Sequence, residues 1–352
     1  IAPFWGQKSN AVYGGINFIM RYYHTLDRDY LEEKAYPYLI KVIDFWEDYL
    51  VFENGRYVDK NDCIHENVAA GKGVFDWSEG SPDYSGDTNP IVSLGLIRTT
   101  LKALLDMSGT LGRDADRREK WRHMLTNLSG YPTQTREGRT VFRYTEEGMD
   151  WCPGNSLGIQ HIFPAGDIGL DSDPDLLKIA RDTHAVLNRW EDYNAFPTFF
   201  TAAARLGLDP DEITSNMERQ IGKHGYQNGF IYYGGGGIEC CSAVPSTIND
   251  MFVQNYAGRL RIFPVWDRAH DASFRGLRTY GALLVSASLK DGRVSDVSVI
   301  SEKGGEIRLL PPWDGGTVVS RKGSRTDTRI DGGDVIFNAE AGVEYQIYED
   351  RS

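Results

Sequence analysis

Cysteine, basic charge and long apolar runs are all scarce in this sequence. Its 352 residues include four cysteines, Cys63, Cys152 and the adjacent Cys240 and Cys241. No C-x-x-C metal pair is present, and a disulfide between neighbours in sequence would be strained, so all four read as free or buried thiols. Lys and Arg number 38 against 50 Asp and Glu, a net charge of −12. That balance argues against a nucleic-acid partner, which needs a basic surface against phosphate. No apolar run approaches the ~18 residues of a membrane span, and the mean hydropathy is −0.42, so no membrane partner is expected. The histidines show no H-x-H or H-E-x-x-H spacing, and neither a metal nor a cofactor is expected. The glycine run at 234–237 is not followed by Gly-Lys-Ser/Thr, and no G-x-S-x-G elbow occurs, which removes the P-loop and serine-hydrolase readings. The first residues, Ile1 to Gly6, have neither a charged nor a long apolar stretch. They read as a mature terminus or as a chain cut from a longer one, not as a signal peptide.

Aromatic side chains, by contrast, are abundant: 8 Trp, 19 Tyr and 15 Phe. Rings serve cores first, but they also stack on the C–H faces of sugars, so an acidic, aromatic-rich chain keeps carbohydrate in view. Up to about residue 260 the apolar spacing is helical. Leu31, Ala35, Tyr38, Leu39, Val42, Phe45, Trp46 and Tyr49 trace one helix, and Ile91 to Met107 another, with Pro90 at its first turn. Further helices are expected at 11–25, 114–128, 155–168, 173–191, 195–207, 210–224 and 245–257, several opened by capping Asp before Pro. The long Gly-rich loops 53–89, 130–154 and 225–244 alternate with helix pairs, which suggests a helical toroid with its loops on one face. From about residue 266 the pattern becomes strand, Asp291-Gly292 turn, strand, then short strands at 306–310, 316–320, 334–338 and 343–348. The expected organisation is a mainly α catalytic domain over 1–265 and a small antiparallel, sandwich-like β domain over 266–352.

Three loop clusters carry carboxylates: His65-Glu66-Asn67 ahead of Asp87-Thr88-Asn89, Thr145-Glu146-Glu147 with Asp150-Trp151, and Gly234 to Cys241 with Glu239. Glycosidases place a proton donor and a base on either side of the scissile bond, and Asp or Glu usually fills both roles. Trp77, Trp151, His161 and Tyr232 are candidate sugar-binding residues, along with His65 and Glu66. Asp87 and Asn89 either bind sugar hydroxyls or cap the helix that follows them.

Ile238-Glu239, then Asn249-Asp250-Met251, Gln254, Gly258 to Pro264 and Gly276-Leu277-Arg278 to Gly281 resemble glycoside hydrolase family 95. That family's stretch runs I-D-G-N-F-G-G, I-A-E-M-L-L-Q, G-x-I-x-L-L-P and G-L-R-A-R-G-G. Tyr36-Pro37 is similar to its A-Y-P-L-L helix, His65-Glu66-Asn67 to its S-P-E-N loop, and Phe163-Pro164 to its L-Y-G-L-Y-P-G segment. The resemblance spans nearly the whole chain and is most specific over 238–281.

It implies an (α/α)6 toroid with a C-terminal β domain and inverting hydrolysis of α-L-fucosides or α-L-galactosides in complex glycans. It also implies a general acid at Glu146, with Glu147 the close rival, and a base-side carboxylate at Glu239, where Glu replaces the family's Asp. The acid's pKa is expected to be raised, and the two carboxyls should lie roughly 6.5–9.5 Å apart. The family's water-holding asparagines, about three toroid helices and an N-terminal β domain would precede residue 1, so the chain reads as a C-terminal portion, incomplete and expected to be unstable or inactive alone. The resemblance leans towards a secreted or periplasmic setting. The substrate partner is an oligosaccharide or polysaccharide. The alternatives are a polysaccharide lyase on the same toroid and a non-catalytic glycan-binding protein.

Overall fold

The computed structural model describes residues 7–64, 86–152, 156–191, 196–231 and 238–350, with only the backbone for 196–197 and 238–239. Its helical part opens with α1 (Asn10–Thr25), which buries Val12, Gly15, Ile16, Ile19 and Tyr22 at intervals of three and four residues. Asp27 caps α2 (Arg28–Tyr30), accepting from the Tyr30 N–H. The chain then passes through a π-helical turn, Leu31–Ala35, into α3 (Tyr36–Tyr49). Here the Tyr36 N–H reaches back five residues to the Leu31 carbonyl. Pro37 explains the wider turn, since it lacks an N–H and its ring crowds the carbonyl four residues back. Next comes the hairpin β1 (Val51–Glu53) and β2 (Arg56–Val58), turned by Asn54-Gly55 with both residues at positive φ.

The helix α4 (Ile91–Leu111) is buried around most of its circumference, as a helix central to a core must be. It is followed by α5 (Arg118–Asn127) and the hairpin β3 (Thr133–Arg136) and β4 (Arg139–Phe142). Then come α6 (Pro174–Leu187), α7 (Phe196–Leu206), α8 (Pro210–His224), a 3-10 turn at Ile238–Ser242 and α9 (Ala243–Phe252). Asp173 and Asp209 cap α6 and α8 just ahead of Pro, as the sequence suggested. The helix expected over 155–168 is absent: the described residues 156–168 hold a single 3-10 turn, Leu157–Ile159, and successive turns. Gly158 lies against the Tyr144 ring so closely that a Cβ would fall 2.2 Å from it, and Pro164 has no donor for a helical ladder.

Hydrogen bonds give the helix directions. At one end of α1 and α4 the Lys8 N–H and the Ser93 hydroxyl both bond to Asp62; at the other Tyr23 bonds to Asp106, so the two helices run parallel. In the same way Thr201 and Arg205 of α7 meet Thr247 and Asp250 of α9. In contrast, α3 runs against α4, its Tyr36 bonding to Asp114 beyond the end of α4, and Arg181 of α6 reaches the Leu206 carbonyl at the end of α7. Parallel inner helices with antiparallel outer partners are the (α/α) arrangement in part.

Two short strands, β5 (Val253–Gln254) and β6 (Arg261–Ile262), lead into the β part. Its strands are β7 (Ala272–Thr279), β8 (Leu283–Lys290), β9 (Arg293–Ser301), β10 (Gly305–Leu309), β11 (Gly316–Arg321), β12 (Ser324–Arg325), β13 (Arg329–Asp331), β14 (Asp334–Ala339) and β15 (Glu344–Asp350). They form an antiparallel six-stranded sheet in the order β12-β11-β15-β9-β8-β7 and a three-stranded sheet β10-β14-β13. Alternate residues of β8, from Leu283 to Leu289, point into one core with Ile307, Leu309, Val335 and Phe337 of the smaller sheet. That core also takes in Val253, Leu260, Ile262 and Phe263, ahead of β7. A separate and larger core joins the helices.

Candidate active site

Three segments meet beside the start of α4. Asp62 and Asp87 exchange backbone bonds, Thr88 pairs with Glu147, and the Glu146 N–H donates to the Thr88 carbonyl. Short backbone bridges of this kind bring residues far apart in sequence to one place. Arg56, carried in by the β1–β2 hairpin, forms two parallel bonds to Glu146, Nη1 to Oε2 at 2.7 Å and Nη2 to Oε1 at 2.6 Å. Asn89 Nδ2 donates to the same Oε2 at 2.6 Å, while Asn89 Oδ1 accepts from the Asp59 N–H at 2.8 Å.

The Glu146 carboxylate is therefore aimed, and it is charged. The hydrogen bonds from Arg56 lower its pKa; burial opposes them in part, and Asn89 adds to the lowering. This corrects the expectation of a raised pKa at a proton donor: the guanidinium stabilises the anion. Glu147, the rival, is exposed, and its carboxylate acts on Arg56 only through its charge, with no hydrogen bond to the cluster among the described residues.

Asp59, Asp62 and Asp87 lie behind Glu146 and are buried. The two Asp87 oxygens accept from the Ile64 N–H at 3.0 Å and the Met149 N–H at 3.1 Å. Asp62 accepts from the N–H groups of Lys8 and Cys63, both at 2.7 Å, and from Ser93 Oγ at 2.6 Å. Asp59 differs: neither of its oxygens meets a hydrogen-bond donor among the described residues. Burial first, then the neighbouring Asp62, holds its pKa well above the usual carboxylate range. The Asp87 pKa is raised as well, by burial, with its two backbone bonds opposing.

Asp87 and Asn89 do share a place with Glu146, but both are fully buried. In this arrangement neither touches a sugar. Asp87 ties loops together and Asn89 orients Glu146, in place of the sugar binding or helix capping expected. His161 is a clearer correction. Its ring is fully buried, packed against Tyr131 and Phe142 at centroid distances of 4.8 and 4.6 Å, with neither nitrogen bonded to any of the described residues. Burial pushes its pKa down to about 3, and Gly95 of α4 leaves the space its backbone needs. It is a core residue, not a sugar ligand. Trp151 is half-buried, tilted against Tyr144 at 5.4 Å and covered by the Arg136 guanidinium at 4.7 Å.

Glu239 belongs to the 3-10 turn that leads into α9, but its side chain lies outside the described residues, and so does any carboxyl separation from Glu146. His65, Glu66, Trp77 and Tyr232 also lie outside them. The sequence reading missed Arg56, Asp59 and Asp62. The one available signal was the Asn54-Gly55 turn, which marks a hairpin delivering the next residues to a loop cluster. Among the described residues, one group places three potential metal-ligand atoms within 4.8 Å of one another: Asp211, Asp267 and His270, at the surface.

Residues 7–183, which contain this whole cluster, match the glycosyl hydrolase family 95 catalytic domain. The chain belongs to that family. No curated protein sequence matches it. Among solved structures, it is similar to an α-L-rhamnosidase from Dictyoglumus thermophilum, with a TM-score of 0.47 and 13% identity over 94% of this chain and 38% of that one. It is also similar to the Streptomyces avermitilis α-L-rhamnosidase complexed with L-rhamnose, with a TM-score of 0.45 and 12% identity over 93% of this chain and 32% of that one. The chain thus spans about a third of the length of each protein.

Proposed function

We propose that this family 95 chain is part of an inverting glycosidase acting on α-L-fucosides or related α-L-galactosides of complex glycans. The match over residues 7–183 carries this reading, because it encloses Arg56, Asp59, Asp62, Asp87, Asn89 and Glu146. In this reading the helical unit 1–265 belongs to an (α/α)6 toroid that holds the sugar, and 266–352 is a β domain packed beside it. Glu239, in the 3-10 turn that leads into α9, supplies the carboxylate that supports the attacking water.

Glu146 is the residue on which the reaction turns. In the resting site it is an anion, which suits it to accept bonds from sugar hydroxyls and to steady positive charge developing at the anomeric carbon. It donates a proton to the leaving oxygen only in a complex where the sugar has displaced Arg56, since the guanidinium otherwise holds the carboxylate ionised.

A leaving-group series distinguishes the two roles. The full-length protein and its Glu146→Gln variant are assayed on aryl α-L-fucosides and α-L-galactosides with leaving phenols of rising pKa. Removing a general acid costs about 10²–10⁴-fold on poor leaving groups and far less on activated ones. Removing a charge stabiliser costs a similar factor on all of them. No turnover of any aryl glycoside by a folded full-length protein would sink the hydrolase reading and return the lyase and the glycan-binding protein to consideration.

A further inference from the structure

A large cavity among the described residues has no part in the Glu146 cluster. It is a groove of about 1120 Å³ between the connection from α9 to β7, the β8–β9 turn and the β10–β11 loop. Small-molecule sites usually occupy roughly 300–1,000 Å³, so the groove has room for an extended ligand.

Two indoles line it, Trp266 and Trp313, both partly exposed. Each has its N–H bonded within the protein, Trp266 to the His270 carbonyl and Trp313 to Thr317 Oγ1, both at 3.0 Å. What such a side chain can still offer a ligand is its ring surface, and flat apolar rings stack on the C–H-rich faces of pyranoses. Trp266 is further fixed edge-on against Phe252 at 4.9 Å. Trp and Tyr platforms held this firmly lose little rotamer freedom when a ligand arrives.

The polar groups of the groove are mixed in sign. Arg261, Arg268 and Arg293 supply donors, and Asp314 and Glu349 supply acceptors. Arg261 is committed to Asp171 by two bonds, and Arg268 gives one N–H to the Pro312 carbonyl at 2.8 Å, tying one wall to the other. Arg293 is exposed and has no acceptor among the described residues. With acids and free guanidinium groups in comparable number, the groove carries no large excess charge. Donors and acceptors side by side suit ligands that present both, as hydroxyl groups do.

We propose that this groove is a second glycan-binding site, which takes a neutral oligosaccharide by stacking on Trp266 and Trp313 and by hydroxyl bonds to Arg293 and its neighbours. The site does not depend on which sugar is cleaved at Glu146. Its effect is to hold the polymer on which the cleaved residue is a branch or an end.

The test is an array of neutral and acidic glycans probed with the full-length protein, followed by calorimetry on the best neutral ligand. The expected result is binding of at least one neutral oligosaccharide. Arg293→Ala should weaken it by about three- to tenfold, the net worth of a typical solvent-exposed hydrogen bond. Trp313→Ala should reduce it further, and Trp313→Phe, which keeps a ring, should restore most of it. Arg293 is exposed, so its variant remains informative even if the Trp313 variants fold poorly. The Glu146→Gln protein should bind as tightly as the unsubstituted one, which separates this site from the catalytic reading. Three results would overturn the proposal: no neutral glycan bound; binding unaffected by Arg293→Ala; or binding of acidic glycans alone that disappears with salt.

Discussion

Buried charge gathers at both ends of α4, and the two gatherings are built differently. At the start of α4, Asp59, Asp62 and Asp87 crowd behind Glu146, with Arg56 reaching in from a hairpin. Towards its other end a cavity of about 560 Å³ is lined by Lys102 and Asp106 of α4 and by Arg205, Tyr256 and Tyr280. Here Arg205 and Asp250 pair at 2.9 Å with both side chains almost wholly buried. The Arg205 guanidinium also lies over the rings of Tyr256 and Phe163, at 4.0 and 4.8 Å. Burial works against the charge on Arg205, but Tyr256 and Asp250 more than offset it and raise its pKa. In this second cluster Arg205 is paired with Asp250 and Lys102 with Asp167, Asp106 accepts from the Tyr23 hydroxyl, and Gln254 and Asn255 beside them bond to backbone carbonyls of α7 and of the loop after β7. It acts as a joint between the helices and the β part. The first cluster has more acid than base and contains a carboxyl with no donor among the described residues, a condition a fold bears at cost and retains most often where chemistry needs it.

The largest expected effect tests the joint. Arg205→Ala leaves Asp250 buried beside no cation, and breaking a buried pair from one side costs about 3–5 kcal/mol. Urea unfolding should register that loss. If the loss is under about 1 kcal/mol, the pair behaves like a surface ion pair and the contrast between the two clusters fails.

Asp59→Asn tests the acidic end. The folded pKa of Asp59 lies above its unfolded value, so the fold binds a proton that the unfolded chain releases. The stability contributed by this group is fully present below the unfolded pKa and is lost as pH rises through the folded pKa. An amide mimics the protonated form. The variant should therefore lose less stability between acidic and neutral pH than the unsubstituted chain, and at neutral pH should gain about 1–3 kcal/mol, the cost of an unsatisfied buried polar group. Thermal melts across that pH range check it, and an identical pH slope in both proteins would show that the Asp59 pKa is not raised by the fold.

The smallest effect on stability is expected from Arg56→Met. Arg56 and Glu146 are 41% and 32% exposed, so their pair contributes only about 0.2–1 kcal/mol. Its functional effect is larger. Without the guanidinium the Glu146 pKa rises, and an activity that needs the anion has its acidic limb moved to higher pH. An activity that needs the protonated acid has its alkaline limb moved up instead. The pH profile of kcat/KM on the full-length protein reads which limb moves.

Much of the architecture was legible from local pattern. The apolar spacing of Ile91 to Met107, the Asp-Pro starts of α6 and α8 and the Asp291-Gly292 turn between β8 and β9 each encode their own geometry within a few residues. The segment 155–168 was not legible, because its apolar spacing looks helical while Gly158 and Pro164 serve contacts with Tyr144 and a turn. At the site, Glu146, Asp87 and Asn89 could be picked from loop composition and family resemblance. Arg56 and Asp59 could not, since nothing within the 90 residues separating Arg56 from Glu146 announces that the two will meet.

The sequence by itself determined the class of the protein. Acidic and aromatic composition, helical periodicity followed by strands, and the family 95 pattern are properties of residues read in order. Charge state and access were decided only by tertiary structure. Glu146 is an anion because a hairpin brings Arg56 to it, the Asp59 pKa is raised because the fold removes water and sets Asp62 beside it, and His161 is neutral because it is packed in a core. Protonation and exposure depend on what surrounds a group in space, and those neighbours come from all along the chain.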